Sequence, residues 1–331
     1  MNEYIFYPGC SMEGSAKAYY DSLNAIKTPL NMELHEIEDW NCCGATEYVG
    51  INLIPAYSLI ARNLALAAKQ IDGTNTVMAP CSACYLNLEK ADYYMTERPA
   101  LGAKVNEALG AGGLHYDPGS LKIRHLLDVI INDIGLDTVK SKVTKPLKGL
   151  RVAPYLGCMV PRPDYQRRWS DFEHPTELDD VLKALGAEVV DFPLKTNCCG
   201  GHMTQIGPET AYELIRRLVS SAEENKADIM VTVCPMCQMN LDAYQAETNR
   251  YFGTNFHMPI VFFTQLMALA FGKDPKEAGF GLETTSAKNA LTRIGLDIPA
   301  VPAGQSVKKP EGLPMPLRKQ KRYADGQKVS E

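Results

Sequence analysis

Three short blocks of this sequence occur twice, in the same order and at nearly the same spacing. Tyr7-Pro8-Gly9-Cys10 returns as Tyr155-Leu156-Gly157-Cys158, and Asn41-Cys42-Cys43-Gly44 returns as Asn197-Cys198-Cys199-Gly200. Cys81-Ser82-Ala83-Cys84, followed by Asn87-Leu88, returns as Cys234-Pro235-Met236-Cys237, followed by Asn240-Leu241. Three anchored blocks at one period mean an internal duplication, so whatever the first half folds into, the second half must fold into as well. The duplication takes in every cysteine. Cys10, Cys42, Cys43, Cys81 and Cys84 form one set, and Cys158, Cys198, Cys199, Cys234 and Cys237 form the other.

The cysteines need a chemical reason. The chain starts Met1-Asn2-Glu3-Tyr4, without the basic and apolar regions of an export signal, so a cytoplasmic protein with reduced thiols is expected. Hydrophobic residues make up 45% of the 331 and charged residues 22%, which excludes a disordered or fibrous chain. The net charge of −5 gives no footprint for nucleic acid. The longest apolar stretches, Leu53 to Ala68 and Ile260 to Phe271, contain polar residues or fall short of the roughly 20 residues of a membrane span.

Each repeat holds a lone cysteine, a vicinal pair and one C-x-x-C, five thiols in all. Structural zinc takes four ligands in a tetrahedron, often from two C-x-x-C knuckles. Two adjacent cysteines rarely reach one small ion without strain, but they can reach two irons of a larger cluster. Iron–sulfur clusters are held by thiolates, and the ordinary cubane uses four. Five per repeat therefore point to an unusual cluster or to one spare, reactive thiol. A pair of zinc sites in a non-catalytic structural or interaction module stays open on spacing alone. Buried free cysteines acting as small hydrophobes do not explain a duplicated pattern of ten.

Each half alternates strand and helix, which predicts an α/β fold for both. Predicted strands are Tyr4-Ile5-Phe6-Tyr7, Thr76 to Ala79, Arg151 to Tyr155, Ala187 to Asp191 and Ile229 to Val233; predicted helices are Ile54 to Lys69 and Pro208 to Asn225. In such folds the loops at strand ends carry the chemistry. All ten cysteines are expected at such junctions or in loops, so that three loops gather each set. The expected domains are residues 1–148 and 149–272, joined by a solvated connector, Asp137 to Gly149, that carries four lysines. Residues 273–331 form a C-terminal extension, whose part from Pro299 onward is rich in Pro, Gly, Lys and Arg and reads as extended or mobile.

Two copies of C-x31–39-C-C-G-x33–36-C-x-x-C resemble the duplicated cysteine-rich CCG domain of the heterodisulfide reductase B subunit, over residues 1 to about 272. Arg162-Pro163, Arg124-His125-Leu126-Leu127 and Phe262-Phe263-Thr264-Gln265-Leu266 agree with it as well. The resemblance implies an oxidoreductase acting on sulfur groups, with each set of five cysteines holding one noncubane 4Fe-4S cluster. It implies that a disulfide or persulfide is opened or formed between the two clusters, each handling one electron. It also implies a small partner with cubane iron–sulfur clusters, similar to the C subunit of that enzyme, and a flavin-containing partner similar to its A subunit. A C-terminal extension longer than in methanogen enzymes tilts the expectation towards sulfur metabolism with a lipoyl carrier protein. Reduction of the coenzyme M–coenzyme B heterodisulfide is the alternative.

Thiol products need protons, and His202, three residues after Cys199, is the candidate donor; Thr46 occupies the matching position of the first repeat, followed by Glu47. A hydrogen-bonded structural role for His202 is the competing expectation. The other histidines have no metal-ligand spacing to one another. Gly44 and Gly200-Gly201 are expected either to let the backbone pass a bulky cluster or to serve as ordinary turns. No G-x-G-x-x-G or Walker sequence occurs, so no nucleotide site is expected. A plain electron relay is disfavoured, because relays manage with four thiolates.

Overall fold

Short strands that are apolar on both faces belong to parallel sheets covered by helices on both sides. The computed structural model describes residues 2–45, 48–70, 73–163, 165 and 168–296. In it, such runs lie at the centre of two four-stranded, all-parallel sheets. The first contains β1 (Asn2–Phe6), β2 (Met32–Glu36), β3 (Thr76–Ala79) and β4 (Lys122–His125), in the order β2-β1-β3-β4. The second contains β5 (Arg151–Tyr155), β6 (Glu188–Val189), β7 (Ile229–Thr232) and β8 (Ile260–Phe262), in the order β6-β5-β7-β8. The register repeats too, with Ala79 beside His125 and Thr232 beside Phe262. The chain is therefore two tandem cysteine-rich α/β repeats related by duplication, as the sequence blocks require.

β6 is shorter than the expected run from Ala187 to Asp191. Val190 still donates its N–H to the Val152 carbonyl, but the next bond of the ladder would have to come from Pro154, which has no N–H. The expected helices form as Leu53–Gln70 and Pro208–Glu224, both with a proline in the first turn, where its missing N–H costs nothing.

The repeats are interlocked rather than strung together. Tyr19, Leu23 and Ile26, on the helix Lys17–Lys27 of the first repeat, share a core with Phe262, Phe263 and Leu266 of the second. Tyr19 stacks on Phe262 with ring centroids 4.3 Å apart, and the buried hydroxyls of Ser22 and Thr264 meet at 2.6 Å. A second core also draws on both repeats, from Ile5 and Val77 to Ala153 and Met230. The described residues all belong to one compact unit. The four connector lysines, Lys140, Lys142, Lys145 and Lys148, are exposed, while Leu147 and Leu150 are buried. After Gly272 the chain folds back, burying Ala278, Phe280, Ala287 and Leu291, and the Asp242 carboxylate accepts the Thr284 and Thr285 N–H groups at 2.7 and 2.8 Å. The stretch from Pro299 onward, expected to be extended or mobile, lies outside the described residues.

His125 and Phe262 occupy the same position in the two repeats, each ending the last strand and capping the helix that follows. His125 is fully buried, and its Nδ1 accepts the Leu127 N–H at 3.1 Å. Burial disfavours its charged form and lowers its pKa to about 4. An unfolded histidine titrates near 6.5, so the unfolded chain takes up the proton first and the native state weakens as pH falls from about 6.5 to 4. Between about pH 7 and about pH 5 this residue alone should cost about 2 kcal/mol. Denaturant titrations at the two pH values should show that loss, and His125→Phe, which installs the residue of the other repeat, should remove it from the pH dependence.

Candidate metal centre

In each sheet the chain leaves the first strand in one direction and later crosses to its other side, so the strand order reverses between β1 and β3 and again between β5 and β7. Open α/β sheets bind their ligands in the crevice at the carboxyl ends of such strands. Cys10 follows β1, Cys42 and Cys43 follow β2, and Cys81 follows β3; Cys158, Cys198, Cys199 and Cys234 stand in the same places after β5, β6 and β7. Cys84 and Cys237 depart from the expectation of loop cysteines. Each lies in the first turn of a helix, Ser82–Glu97 or Pro235–Ala243, with Cys81 or Cys234 as its N-cap. The partial positive charge of a helix N-terminus favours a thiolate there.

The ten thiols form one continuous line. Cys10 Sγ lies 3.7 Å from Cys42 Sγ, and Cys43 Sγ lies 3.3 Å from Cys84 Sγ. Cys42 interacts with its neighbour Cys43, and Cys84 with Cys81. Cys81 then meets Cys234, its own counterpart in the other repeat. From there the order runs in mirror image through Cys237, Cys199 and Cys198 to Cys158. Contact between two equivalent residues places an approximate two-fold axis between Cys81 and Cys234. The middle of the line is buried, whereas Cys10, Cys42 and Cys198 are exposed.

Hydrogen bonds between the thiols distribute the charge. Contacts with Cys42 first and Cys84 next favour the Cys43 thiolate and lower its pKa to about 4. Those from Cys158 and Cys199 lower Cys198 to about 2, while Cys199, donating to Cys198, rises to about 12. All ten cysteines are free. Among the described residues no three His, Cys, Asp or Glu side chains surround a single metal ion. An all-thiol donor set spread along a line fits groups of several iron atoms bridged by sulfide.

The repeated flanks frame this line. The Tyr7 hydroxyl donates to the Asn41 carbonyl at 2.7 Å, and the Tyr155 hydroxyl donates to the Asn197 carbonyl at 2.7 Å. The Asn87 side chain donates to the Cys43 carbonyl at 3.0 Å, and that of Asn240 to the Cys199 carbonyl at 2.5 Å. Each vicinal pair is thus held from both sides, a role that the repeated Tyr and Asn offered and that their spacing alone did not assign. Gly9 and Gly157, at φ +71 and +73, lie against the helical cysteines: a Cβ would come 2.8 Å from Cys84 Sγ and 3.0 Å from Cys237 Sγ. A Cβ at Gly44 would meet open space and one at Gly200 would meet Ala211, but the Gly200 and Gly201 N–H groups donate to Cys198 Sγ at 3.4 Å and Cys199 Sγ at 3.3 Å, so these glycines also bring backbone to sulfur.

On the two-fold axis, the Tyr19 hydroxyl lies 3.2 Å from the Pro80 carbonyl and 3.3 Å from the Val233 carbonyl, the residues that precede Cys81 and Cys234. His125 turns towards the same two carbonyls. Neither residue shares a motif with the cysteines, so sequence spacing did not single them out.

His202 lines a groove of about 530 Å³ together with Met159, which follows Cys158. The rest of the groove wall comes from the first repeat, including Ala45, Ile60, Leu86 and Asn87. His202 therefore faces a cavity beside the cysteine line. Thr46 and Glu47, its counterpart and neighbour in the first repeat, lie outside the described residues.

This architecture defines a duplicated α/β protein built to present two cysteine sets to one site. The CCG cysteine-rich domain matches residues 4–89 and 152–242. The chain is 34% identical over 295 residues to the 8-methylmenaquinol:fumarate reductase membrane anchor subunit of Wolinella succinogenes, covering 88% of this chain and 99% of that one. It is 30% identical over 300 residues to a protein of Archaeoglobus profundus described as like the heterodisulfide reductase B subunit, covering 89% and 98%. The solved structure of a hypothetical protein from Helicobacter pylori shares the fold, with a TM-score of 0.68 at 13% identity, over 86% of this chain and 52% of that one. The chain belongs to the CCG cysteine-rich domain family that includes the heterodisulfide reductase B subunit. Among the described residues no helix is long and apolar enough to cross a membrane.

Gly9→Ala should push Cys84 Sγ out of line and strain a left-handed backbone position. The expected result is iron per chain cut by about half, with the far-ultraviolet circular dichroism kept. Full iron content would show that the close approach of Gly9 to Cys84 is not needed.

Proposed function

We propose that this chain is the sulfur-active component of an oxidoreductase complex, in which a disulfide or persulfide is cleaved or formed beside two iron–sulfur clusters. The mirror-symmetric line of ten thiols carries this reading. Each half of the line holds one cluster: Cys10, Cys42, Cys43, Cys81 and Cys84 on one side, and Cys158, Cys198, Cys199, Cys234 and Cys237 on the other. When bound, the clusters would supply one electron each, and the five-thiol sets favour the noncubane 4Fe-4S type. Opening an S–S bond takes two electrons and two protons and yields two thiols, so a matched pair suits the stoichiometry.

The protein's own residues supply the rest. The buried Cys81–Cys234 junction, with Tyr19 and His125 on the axis, keeps the two sets at a fixed spacing. Exposed Cys42 and Cys198 mark where substrate sulfur approaches. His202, on the groove wall, gives a proton to the leaving thiolate, and the apolar wall keeps bulk water from that step. Electrons arrive through a cubane iron–sulfur partner and a flavin-containing partner in the cytoplasm, and a lipoyl carrier protein is the favoured source of the sulfur substrate over the coenzyme M–coenzyme B heterodisulfide. A second reading follows from the apolar groove and from the menaquinol-linked relative: a quinol releases two electrons and two protons at the same site, with His202 taking up a proton.

Iron and acid-labile sulfide on anaerobically purified protein test the proposal, with electron paramagnetic resonance in the presence of small thiols. About eight of each per chain, with signals that shift on adding thiol, is the expected result. About two zinc ions per chain and no iron would replace it with the structural module. Cys42→Ser should lower iron content and thiol-dependent activity together; retention of both would sink the five-ligand assignment.

A further inference from the structure

The duplication serves as an internal control, because the loops that carry the cysteines match less well than the cysteines do. Between Cys10 and the helix Lys17–Lys27 lie residues 11–16, but between Cys158 and the helix Glu177–Ala184 lie residues 159–176. The longer connection of the second repeat returns to the stretch that precedes its vicinal pair.

Lys195 and Thr196, just before Asn197-Cys198-Cys199, are both buried. The Lys195 ammonium donates to the buried Asp179 carboxylate at 2.6 Å and to the Pro175 carbonyl at 3.3 Å. The Thr196 hydroxyl donates to the Glu173 carbonyl at 3.0 Å, and Arg162 donates to the Thr196 carbonyl at 2.7 Å. Held in this way, the Lys195 carbonyl accepts the Leu156 and Gly157 N–H groups at 2.9 and 3.0 Å. Leu156 and Gly157 lead into Cys158, so the loop of the lone cysteine is stapled to the loop of the vicinal pair.

The first repeat has other residues at these places. Counted from the repeated blocks, Pro8 stands for Leu156, Asp39 for Lys195 and Trp40 for Thr196. Pro8 has no N–H to give. Asp39 is exposed, its carboxylate pairs with Arg62 on the helix Leu53–Gln70, and its carbonyl accepts from the same guanidinium. Trp40 is half-buried and donates its indole N–H to the Glu36 carboxylate at 3.1 Å. The tyrosine clamp on the asparagine carbonyl is common to both repeats, so the staple is an addition on one side. At the outer end Cys10 and Cys42 are both exposed, whereas Cys158 is half-buried beside the exposed Cys198.

We propose that Lys195 is a positioning residue for the second thiol set, and that its staple makes that set hold an iron–sulfur cluster more firmly than the first. The inference rests on the proposed assignment of one cluster to each set. A donor set whose loops are already fixed has less freedom to lose on binding. Opening it breaks two backbone hydrogen bonds and disturbs a buried ion pair, and both cost free energy. The first set is without this staple and offers two exposed thiols to incoming ligands. It is therefore the set that gives up iron first and the one that must be refilled.

The test follows iron and thiols together on the anaerobically purified protein. The ferrous chelator bathophenanthroline disulfonate takes the iron, and iodoacetamide labels each cysteine as it becomes free. Mass spectrometry of the peptides then assigns each phase of iron loss to a set. Two phases of about equal size are expected. Cys10, Cys42, Cys43, Cys81 and Cys84 should be labelled in the fast one, and the second set about tenfold or more slowly. Lys195→Met combined with Asp179→Leu removes both buried charges and orphans neither. In this variant the slow phase should quicken by about tenfold, with the fast phase and the circular dichroism unchanged. A general loss of stability would instead move both phases. In the unaltered protein, a single phase that labels both sets together, or second-set cysteines labelled first, would overturn the staple and leave the two-cluster assignment standing. So would a slow phase that the double variant leaves unchanged. Protein that holds no iron after anaerobic purification would overturn the assignment and the staple with it.

Discussion

The contact between Cys81 and Cys234 is the constraint on which the rest of the molecule depends. Two thiols from points 153 residues apart along the chain can meet only if both C-x-x-C turns face one axis. That in turn demands that two sheets of identical order be docked through a shared core. The interlocking of the helix Lys17–Lys27 with β8 and the helix Phe263–Ala270 does this, burying Tyr19, Ser22, Phe262 and Thr264 between the repeats. A looser arrangement of two separate domains would leave ten thiols as two distant groups.

Symmetry explains the thiol line, and asymmetry explains what surrounds it. The tyrosine and asparagine clamps on the vicinal cysteines recur because both repeats face the same geometric task. His125 and Phe262 differ at one position without changing the backbone that carries them. The groove exists on the first-repeat side and borrows His202 and Met159 from the second, so the site as a whole belongs to neither repeat. In this duplicated scaffold the common part holds the sulfurs, and the divergent part forms the groove wall beside them.

Much of the candidate centre was legible in the sequence because its signal is chemical and local. Cysteine has few reasons to repeat in register, so five thiols per half could be read directly. The strands with buried, β-branched or aromatic residues on both faces were equally plain. Three of the four edge strands were not: Met32–Glu36 and Lys122–His125 are short and carry charges, so their composition is that of a loop, and Ile260–Phe262 runs straight into the apolar helix Phe263–Ala270. The shortened β6 reflects Pro154 on a neighbouring strand, a fact about pairing that no single segment contains. Gly200 and Gly201 bring backbone N–H groups to sulfur beside the vicinal pair, whereas Gly9 and Gly157, where a Cβ would crowd the helical cysteines, carry no signal of that contact in their own motif.

By itself the sequence determined the duplication, the two tandem α/β repeats and the two sets of five thiols, because each follows from residue type and spacing within one stretch of chain. Only the tertiary structure decided that the two sets join into one line at Cys81 and Cys234, that Tyr19 and His125 stand on the axis between them, and that a groove walled mainly by the first repeat takes His202 and Met159 from the second. Those features depend on contacts between residues far apart in the chain, and such contacts are set by how the two sheets pack.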